Sequence, residues 1–368
     1  MFSLIEHSGL FFITPQIIIM WLIGFVLIYL AIAKEYEPLL LLPIGFGIIL
    51  ANLPLTHLMK PDEGLIWRFY HYGIQWEIIP PLIFLGLGAL TDFGPLIARP
   101  SLIFLGAGAQ AGVYFTFFAA RALGFHINEA ATIGIIGGAD GPTTIFLASK
   151  LAPHMLGACA VAAYSYMALV PIIQPPIMKL LTSKSERLIR MKKSRKVSRT
   201  ERLLFPIIST IVILLLVPAA APLFSMLMLG NLFKESKVVE RLAHAAKNEL
   251  MNILTIFLGL SIGATMNADV FLHPKVIMVF ILGLVAFIIS TGTGILLAKV
   301  MNLFVKDKIN PLIGAAGVSA VPMAARVVHK MGSKEDKKNY LLMFAMGPNV
   351  AGVIGTVIAA GIFLTLLK

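Results

Sequence analysis

Long apolar runs, separated by short polar intervals, recur along the whole chain. A bilayer crossing needs about 20 apolar residues. Such runs fall at about 11–33, 37–55, 72–91, 100–121, 128–150, 155–181, 203–230, 248–266, 275–300, 309–329 and 338–367. The pattern predicts an all-α polytopic membrane protein with about eleven transmembrane segments. The fifth and tenth runs are interrupted by Gly and Pro, so they predict broken helices that either cross the bilayer or re-enter it. A first run without a basic leader or a small-residue cleavage site reads as a retained helix.

Composition agrees with this picture. The 368 residues are 58% hydrophobic and 13% charged, against about 25% charged in a soluble domain. The formal charge of +12 lies largely in loops. It bears on orientation and on contact with acidic lipid or a partner, not on nucleic acid. The interval 182–202 carries nine Lys or Arg against Glu186 and Glu201. Under the positive-inside rule it is cytoplasmic; it either sets topology alone or also docks a cytoplasmic partner. Six runs before it place the N-terminus in the cytoplasm, and five after it place the C-terminus outside. Cys159 is the one cysteine, which excludes an internal disulfide and a multi-cysteine metal site. There is no phosphate loop, nucleophile elbow or dinucleotide fingerprint.

Two segments share the frame G-x-x-G-x-x-x-x-P. One is Gly134 to Pro142 and the other Gly314 to Pro322; Pro142 and Pro322 stand 180 residues apart, as do Lys150 and Lys330. Upstream, Ile83 to Leu87 and Ile256 to Leu260 repeat I-F-L-G-L at an offset of 173. The chain therefore divides into N-terminal segments 1–71, a first repeat 72–181, the basic loop 182–202, a linking stretch 203–247 and a second repeat 248–368. Four runs per repeat with one between them would invert the second repeat relative to the first. Paired broken helices in inverted repeats mark the midplane sites of secondary transporters.

Asp140 is the sharpest chemical signal. It is the sole acid between Ala130 and Met178 and sits in Gly137-Gly138-Ala139-Asp140-Gly141-Pro142. A carboxylate at bilayer depth costs about 2.5–3.5 kcal/mol on insertion scales and marks an ion or proton site. The counterpart segment, Asn310 to Arg326, offers carbonyls freed at Gly314 and Gly317 and the Ser319 hydroxyl. These are oxygen donors suited to a hard cation. Arg326 either holds a carboxylate or snorkels to the cytoplasmic face. A third cluster, Gly347-Pro348-Asn349, has its partner position near Tyr164-Ser165-Tyr166. Asn349 reads as a cation ligand or as glue between helices, and the tyrosines as hydroxyl donors or core aromatics.

Three stretches carry a resemblance: Gly-Gly-Ala-Asp140-Gly-Pro-Thr, Asn310-Pro-Leu-Ile-Gly314 through Ser319 to Arg326-Val, and Met346-Gly-Pro-Asn349 through Thr356. From about Gly73 onward the chain resembles the β subunits of sodium-pumping, biotin-dependent decarboxylases, acting on oxaloacetate, methylmalonyl-CoA or glutaconyl-CoA. It is short for the oxaloacetate member, which leaves the sub-type open. The resemblance implies a bacterial or archaeal cell-membrane protein that decarboxylates carboxybiotin, exports Na⁺ and consumes a proton. Carboxybiotin would arrive in trans. Implied partners are a carboxyltransferase α subunit, a biotin carrier subunit or domain, a small membrane subunit of γ/δ type and further copies of this chain. Asp140, Ser319 and Arg326 would carry the chemistry. Asp140, Asn310, Gly314, Ser319 and Asn349 would lie on the Na⁺ path, with Tyr164 and Tyr166 as additional candidates. The residues alone also fit a Na⁺- or H⁺-coupled carboxylate symporter or, less well, a membrane anchor for a soluble complex.

Overall fold

The computed structural model describes residues 8–271 and 273–367; residues 1–7, Leu272 and Lys368, which fall in the N-terminal segments and the second repeat, lie outside that range. All regular structure among the described residues is helical. Among the described residues five helices are long and apolar enough to cross a membrane: Pro15–Ala33, Pro100–Ala122, Pro153–Leu181, Pro274–Phe304 and Leu342–Leu366. A sixth qualifies if Leu65–Gln75 and Ile79–Leu90, bent by 66°, form one span. Helix Pro38–Ala51 is apolar but only 14 residues long.

The outer helices show what solvent the fold requires. Pro15–Ala33 buries only Met20, Gly24 and Ala31, while Leu22, Phe25, Tyr29 and Ile32 are each more than half exposed. A helix apolar all round yet bare on most faces is at home in lipid. Leu342–Leu366, by contrast, runs through the interior and is mostly buried.

Two ends of the bundle can be told apart by following helix Leu156–Leu181, whose 26 residues span about 39 Å. It starts beside Glu129, which meets His154 at 2.9 Å. It finishes at Thr182, whose carbonyl accepts from Arg187. Helix Pro274–Phe304 runs the same way, ending where Lys299 meets Glu186 at 3.1 Å. The basic loop is therefore not a free strand at its end. Arg187 pairs with Glu335 at 2.8 Å and Arg190 with Asp336 at 2.6 Å.

Against this frame the apolar runs sort differently from a plain series. The 203–230 run is not one span: Arg199–Leu216 and Ala221–Ser236 are separate helices joined by the turn Pro218–Ala220. They lie antiparallel, since Arg199 reaches the Ser236 carbonyl at 3.3 Å and Ser209 reaches the Met228 sulfur at 3.4 Å. Val217 leads into Pro218, which has no N–H to continue the first helix, and it does so without any dip in hydrophobicity.

The 128–150 run does not pass from one end to the other either. Ile127–Ile135 enters, 3₁₀ turn Ile136–Gly138 stops, and Gly141–Leu151 returns. The Glu129–His154 contact fixes both feet at one end. The 309–329 run does the same from the other end. Pro311–Gly317 goes in and Met323–Glu335 comes out. Its feet are tied together, because Asn310 and Asn339 both donate to the carbonyls of Arg187 and Ile189.

Candidate functional site

The two broken segments meet tip to tip in the interior. The Ser319 N–H donates to the Gly138 carbonyl at 2.8 Å. Each tip is a short 3₁₀ helix ending in glycine, Gly138 in one and Gly317 in the other. Helix C-terminal ends leave carbonyls without intrahelical partners, so the junction is rich in oxygen. Between the first 3₁₀ turn and the returning helix, Ala139 holds φ at 53°, a left-handed backbone that a non-glycine residue adopts at a cost.

Asp140 follows directly and caps the helix Gly141–Leu151. Its Oδ1 accepts from the Thr143 N–H at 3.0 Å, and its carbonyl accepts from the Thr144 hydroxyl at 2.7 Å. Gly141 permits this arrangement, because a side chain there would strike the ring of Tyr164. Asp140 Oδ2 is buried without a hydrogen-bond partner, and so are Thr143 Oγ1 and Asn349 Oδ1. Leaving such oxygens bare costs about 1–3 kcal/mol each, more for a charged group. A cation in the cavity beside Asp140 would satisfy Oδ2.

Ser319 and Asn349 join the same region from the second half of the chain. Ser319 Oγ lies 2.7 Å from Thr356 Oγ1. Thr356 in turn donates to Gln110 Oε1 at 3.2 Å, and Gln110 Nε2 reaches the Gly352 carbonyl at 3.3 Å. Asn349 donates to the Val318 carbonyl at 2.6 Å, which turns its own oxygen free. Asp140 and Ser319 line one small cavity of about 40 Å³, together with Thr91, Phe93 and Val350. Organic ligands occupy about 300–1,000 Å³, and one water takes about 30 Å³. The cavity is ion-sized.

Not every expected residue reaches it. Asn310 stands at the foot of the second hairpin: its oxygen accepts from Leu312 N–H at 3.1 Å and its amide holds the basic loop. Gly314 packs on Gly294, where only a glycine pair allows the backbones so close. Tyr166 points elsewhere and donates to the Phe280 carbonyl. Arg326 is exposed on Met323–Glu335, within electrostatic reach of Glu37. Tyr164 is buried against Gly141, beside Asp140. Gln110 and Thr143 were not among the expected site residues. A lone amide within an apolar run is the signal that marks Gln110.

The whole-chain comparisons bear on this geometry. Residues 16–367 match the family model of the Na⁺-transporting oxaloacetate decarboxylase beta subunit. The chain belongs to that family. It is 55% identical to the methylmalonyl-CoA decarboxylase subunit beta of Propionigenium modestum, over 98% of this chain and 97% of the relative. It is 56% identical to the glutaconyl-CoA decarboxylase subunit beta of Acidaminococcus fermentans, over 99% and 97%. Against the oxaloacetate decarboxylase beta chain of Haemophilus ducreyi the identity is 49%, over 98% and 97%. The family's members are membrane subunits of Na⁺-transporting decarboxylases, and the apolar helices described above fit that location.

Proposed function

We propose that this chain is the membrane subunit of a Na⁺-translocating decarboxylase that releases CO₂ from carboxybiotin and exports Na⁺ while a proton is consumed. The observation that carries the reading is the bare Oδ2 of Asp140 at the meeting point of two opposed hairpins. Na⁺ is the cargo. Its ligands are Asp140 and Asn349 with Ser319, and Thr143 Oγ1 adds a fourth oxygen. Asn310 and Gly314 serve the path indirectly, by holding the second hairpin in place.

Asp140 does two jobs with one atom. Oδ2 holds either Na⁺ or a proton, never both, so ion release and proton uptake exclude one another at this carboxylate. Carboxybiotin, brought by a partner, supplies a carboxyl group that leaves as CO₂ while a proton takes its place on the ureido nitrogen. Ser319 stands between the two events, because its hydroxyl faces the cavity and its N–H is bonded to the Asp140-bearing tip. Arg326, exposed and in no ion pair among the described residues, is available to a carboxylate arriving from the basic-loop end. Tyr164 packs behind Gly141, next to Asp140 in the chain. Moving one charge outward against 100 mV costs about 2.3 kcal/mol, so the loaded cavity must change the side it faces in the same cycle that releases CO₂.

The fold supports this as two inverted repeats. In the first, Ile79–Leu90, Pro100–Ala122 and Pro153–Leu181 cross, and 127–151 re-enters. In the second, 240–264, Pro274–Phe304 and Leu342–Leu366 cross, and 310–336 re-enters. Three crossings per unit with the antiparallel pair 199–236 between them gives opposite hands, so inversion follows by a different count from eleven equal spans. With the basic loop in the cytoplasm, five crossings lie on each side of it. This moves the N-terminal end outside, together with the C-terminal end. The partners are a carboxyltransferase α subunit, a biotin carrier, a small γ/δ-type membrane subunit and further copies of the chain in a bacterial or archaeal cell membrane.

The symporter reading needs no partner. Proteoliposomes containing the chain with its co-purified subunits separate the two. Na⁺ uptake into inverted vesicles that requires carboxylated biotin carrier supports the pump. Carboxylate-driven Na⁺ uptake by the chain alone would replace it with the symporter.

A further inference from the structure

The ion-sized cavity raises a question of where an organic group could stand. Two open pockets on the basic-loop end answer in size. One is about 440 Å³ and the other about 330 Å³, both within the range of an organic ligand. They share Asp92, Val197 and Arg202 and form one vestibule.

The vestibule is separated from the Asp140 cavity by a single turn. Thr91 and Phe93 line the cavity, and Asp92 between them lines the vestibule. This turn lies between helices Ile79–Leu90 and Gly94–Ala98 and is not helical. It is braced from the vestibule side. Lys234 and Asn231 donate to the Thr91 carbonyl at 2.8 and 3.1 Å, and Arg202 meets Asp92 at 3.0 Å and Glu235 at 3.6 Å.

Charge decides what the vestibule admits. The larger pocket sets Arg199, Arg202, Lys234 and Lys237 against Asp92 and Glu235. The smaller adds Lys196 and Arg195, the latter paired with Glu201 at 2.7 Å. The surplus is cationic even after both acids are paired, so the place repels Na⁺ and attracts an anion. The 320 Å³ pocket at the opposite end has no Lys or Arg in its lining.

Building on the proposed function, we propose that this vestibule receives the carboxylate-bearing group presented by the carrier protein and sets it against the turn Thr91–Phe93, whose two end residues line the Asp140 cavity. The organic group stays in the vestibule and the ion in the cavity. The turn is the partition across which CO₂ release and ion binding communicate.

The test uses the assembled complex with Arg199→Gln, Lys237→Gln and the double variant. Neither residue belongs to the ion site. Lys237 makes no hydrogen bond or ion pair among the described residues, so the single Lys237→Gln variant carries the test if the double variant fails to assemble. The readouts are the concentration of carboxylated carrier needed for half-maximal rate, its salt dependence and the Na⁺ concentration for half-activation. The double variant should raise the carrier requirement about tenfold and flatten its salt dependence, in line with lost steering. Na⁺ half-activation and the rate at saturating carrier should not move. An unchanged carrier requirement overturns the proposal. So does a defect that appears only in vesicles rich in anionic lipid, which would assign the vestibule to lipid phosphate. If the parent reading itself fails, the unmodified complex will show no Na⁺-dependent decarboxylation, a distinct result.

Discussion

Ser319 donates its backbone N–H to the carbonyl of Gly138, and this one bond joins the tips of two hairpins rooted at opposite ends of the bundle. The residues are 181 positions apart in the sequence. Neither tip is stable alone in lipid, since each exposes carbonyls and a glycine-rich backbone. Together they supply one another's partners and leave a small set of oxygens bare. The bare set is what a dehydrated cation requires.

Asp140→Asn should abolish Na⁺ activation and lower decarboxylation at least about a hundredfold, the low end of what a proton-handling group supplies. The amide keeps the size and can still cap the helix from Thr143. Melting of the detergent-solubilised complex should stay level or rise, because a buried oxygen that lacks a partner no longer carries charge. Wild-type turnover with intact Na⁺ activation would remove Asp140 from the mechanism.

Much of this site can be read from the chain because its signals are local. A lone acid among Gly and Pro stands out against an apolar background, and two copies of one glycine–proline frame place Ser319 next to Ala320, the counterpart of Asp140, before any contact is known. Other parts have no local signal. The turn at Val217 to Ala220 is apolar, so hydropathy runs straight across it and 203–230 looks like one span. Segment 128–150 has the same composition whether it crosses or turns back; the contact between Glu129 and His154, 25 residues apart, makes the difference. The vestibule draws on Asp92, Arg202 and Lys234, which are ordinary charges until the fold brings them together.

Topology is checked by labelling single cysteines in a Cys159→Ala background. Ser194→Cys lies in the basic loop, and Leu10→Cys and Leu367→Cys lie near the described ends. The last two should react from the same side of sealed vesicles, and Ser194→Cys from the other. Reaction of Leu10→Cys on the Ser194 side would restore an even count before the loop and undo the re-entrant reading of 127–151.

Asn310→Ala distinguishes an anchor from an ion ligand. The side chain makes three hydrogen bonds, two donated to the basic loop and one accepted from Leu312. At a net value of about 0.5–1.5 kcal/mol each, their loss should lower stability by about 2–4 kcal/mol. Thermal unfolding of the complex should show the drop, while Na⁺ half-activation in the folded fraction stays at the wild-type value. A shift in Na⁺ dependence at unchanged melting temperature would return Asn310 to the ion path.

Ser319→Ala and Asn349→Ala test the ligand set itself. Ser319, which lines the cavity, bonds Thr356 through its hydroxyl, and Asn349 spends its amide on the Val318 carbonyl and keeps its oxygen unpartnered. Removing one neutral oxygen from a cation site forfeits about 1–3 kcal/mol, as for other unmet polar partners. Na⁺ half-activation should therefore rise about tenfold in each variant, with maximal rate largely kept at saturating Na⁺. The two substitutions act on one ion, so the double variant should depart from additivity. Loss of rate at every Na⁺ concentration, with half-activation unchanged, would assign these residues to proton delivery or to the carboxyl group and leave Asp140 without its neutral ligands.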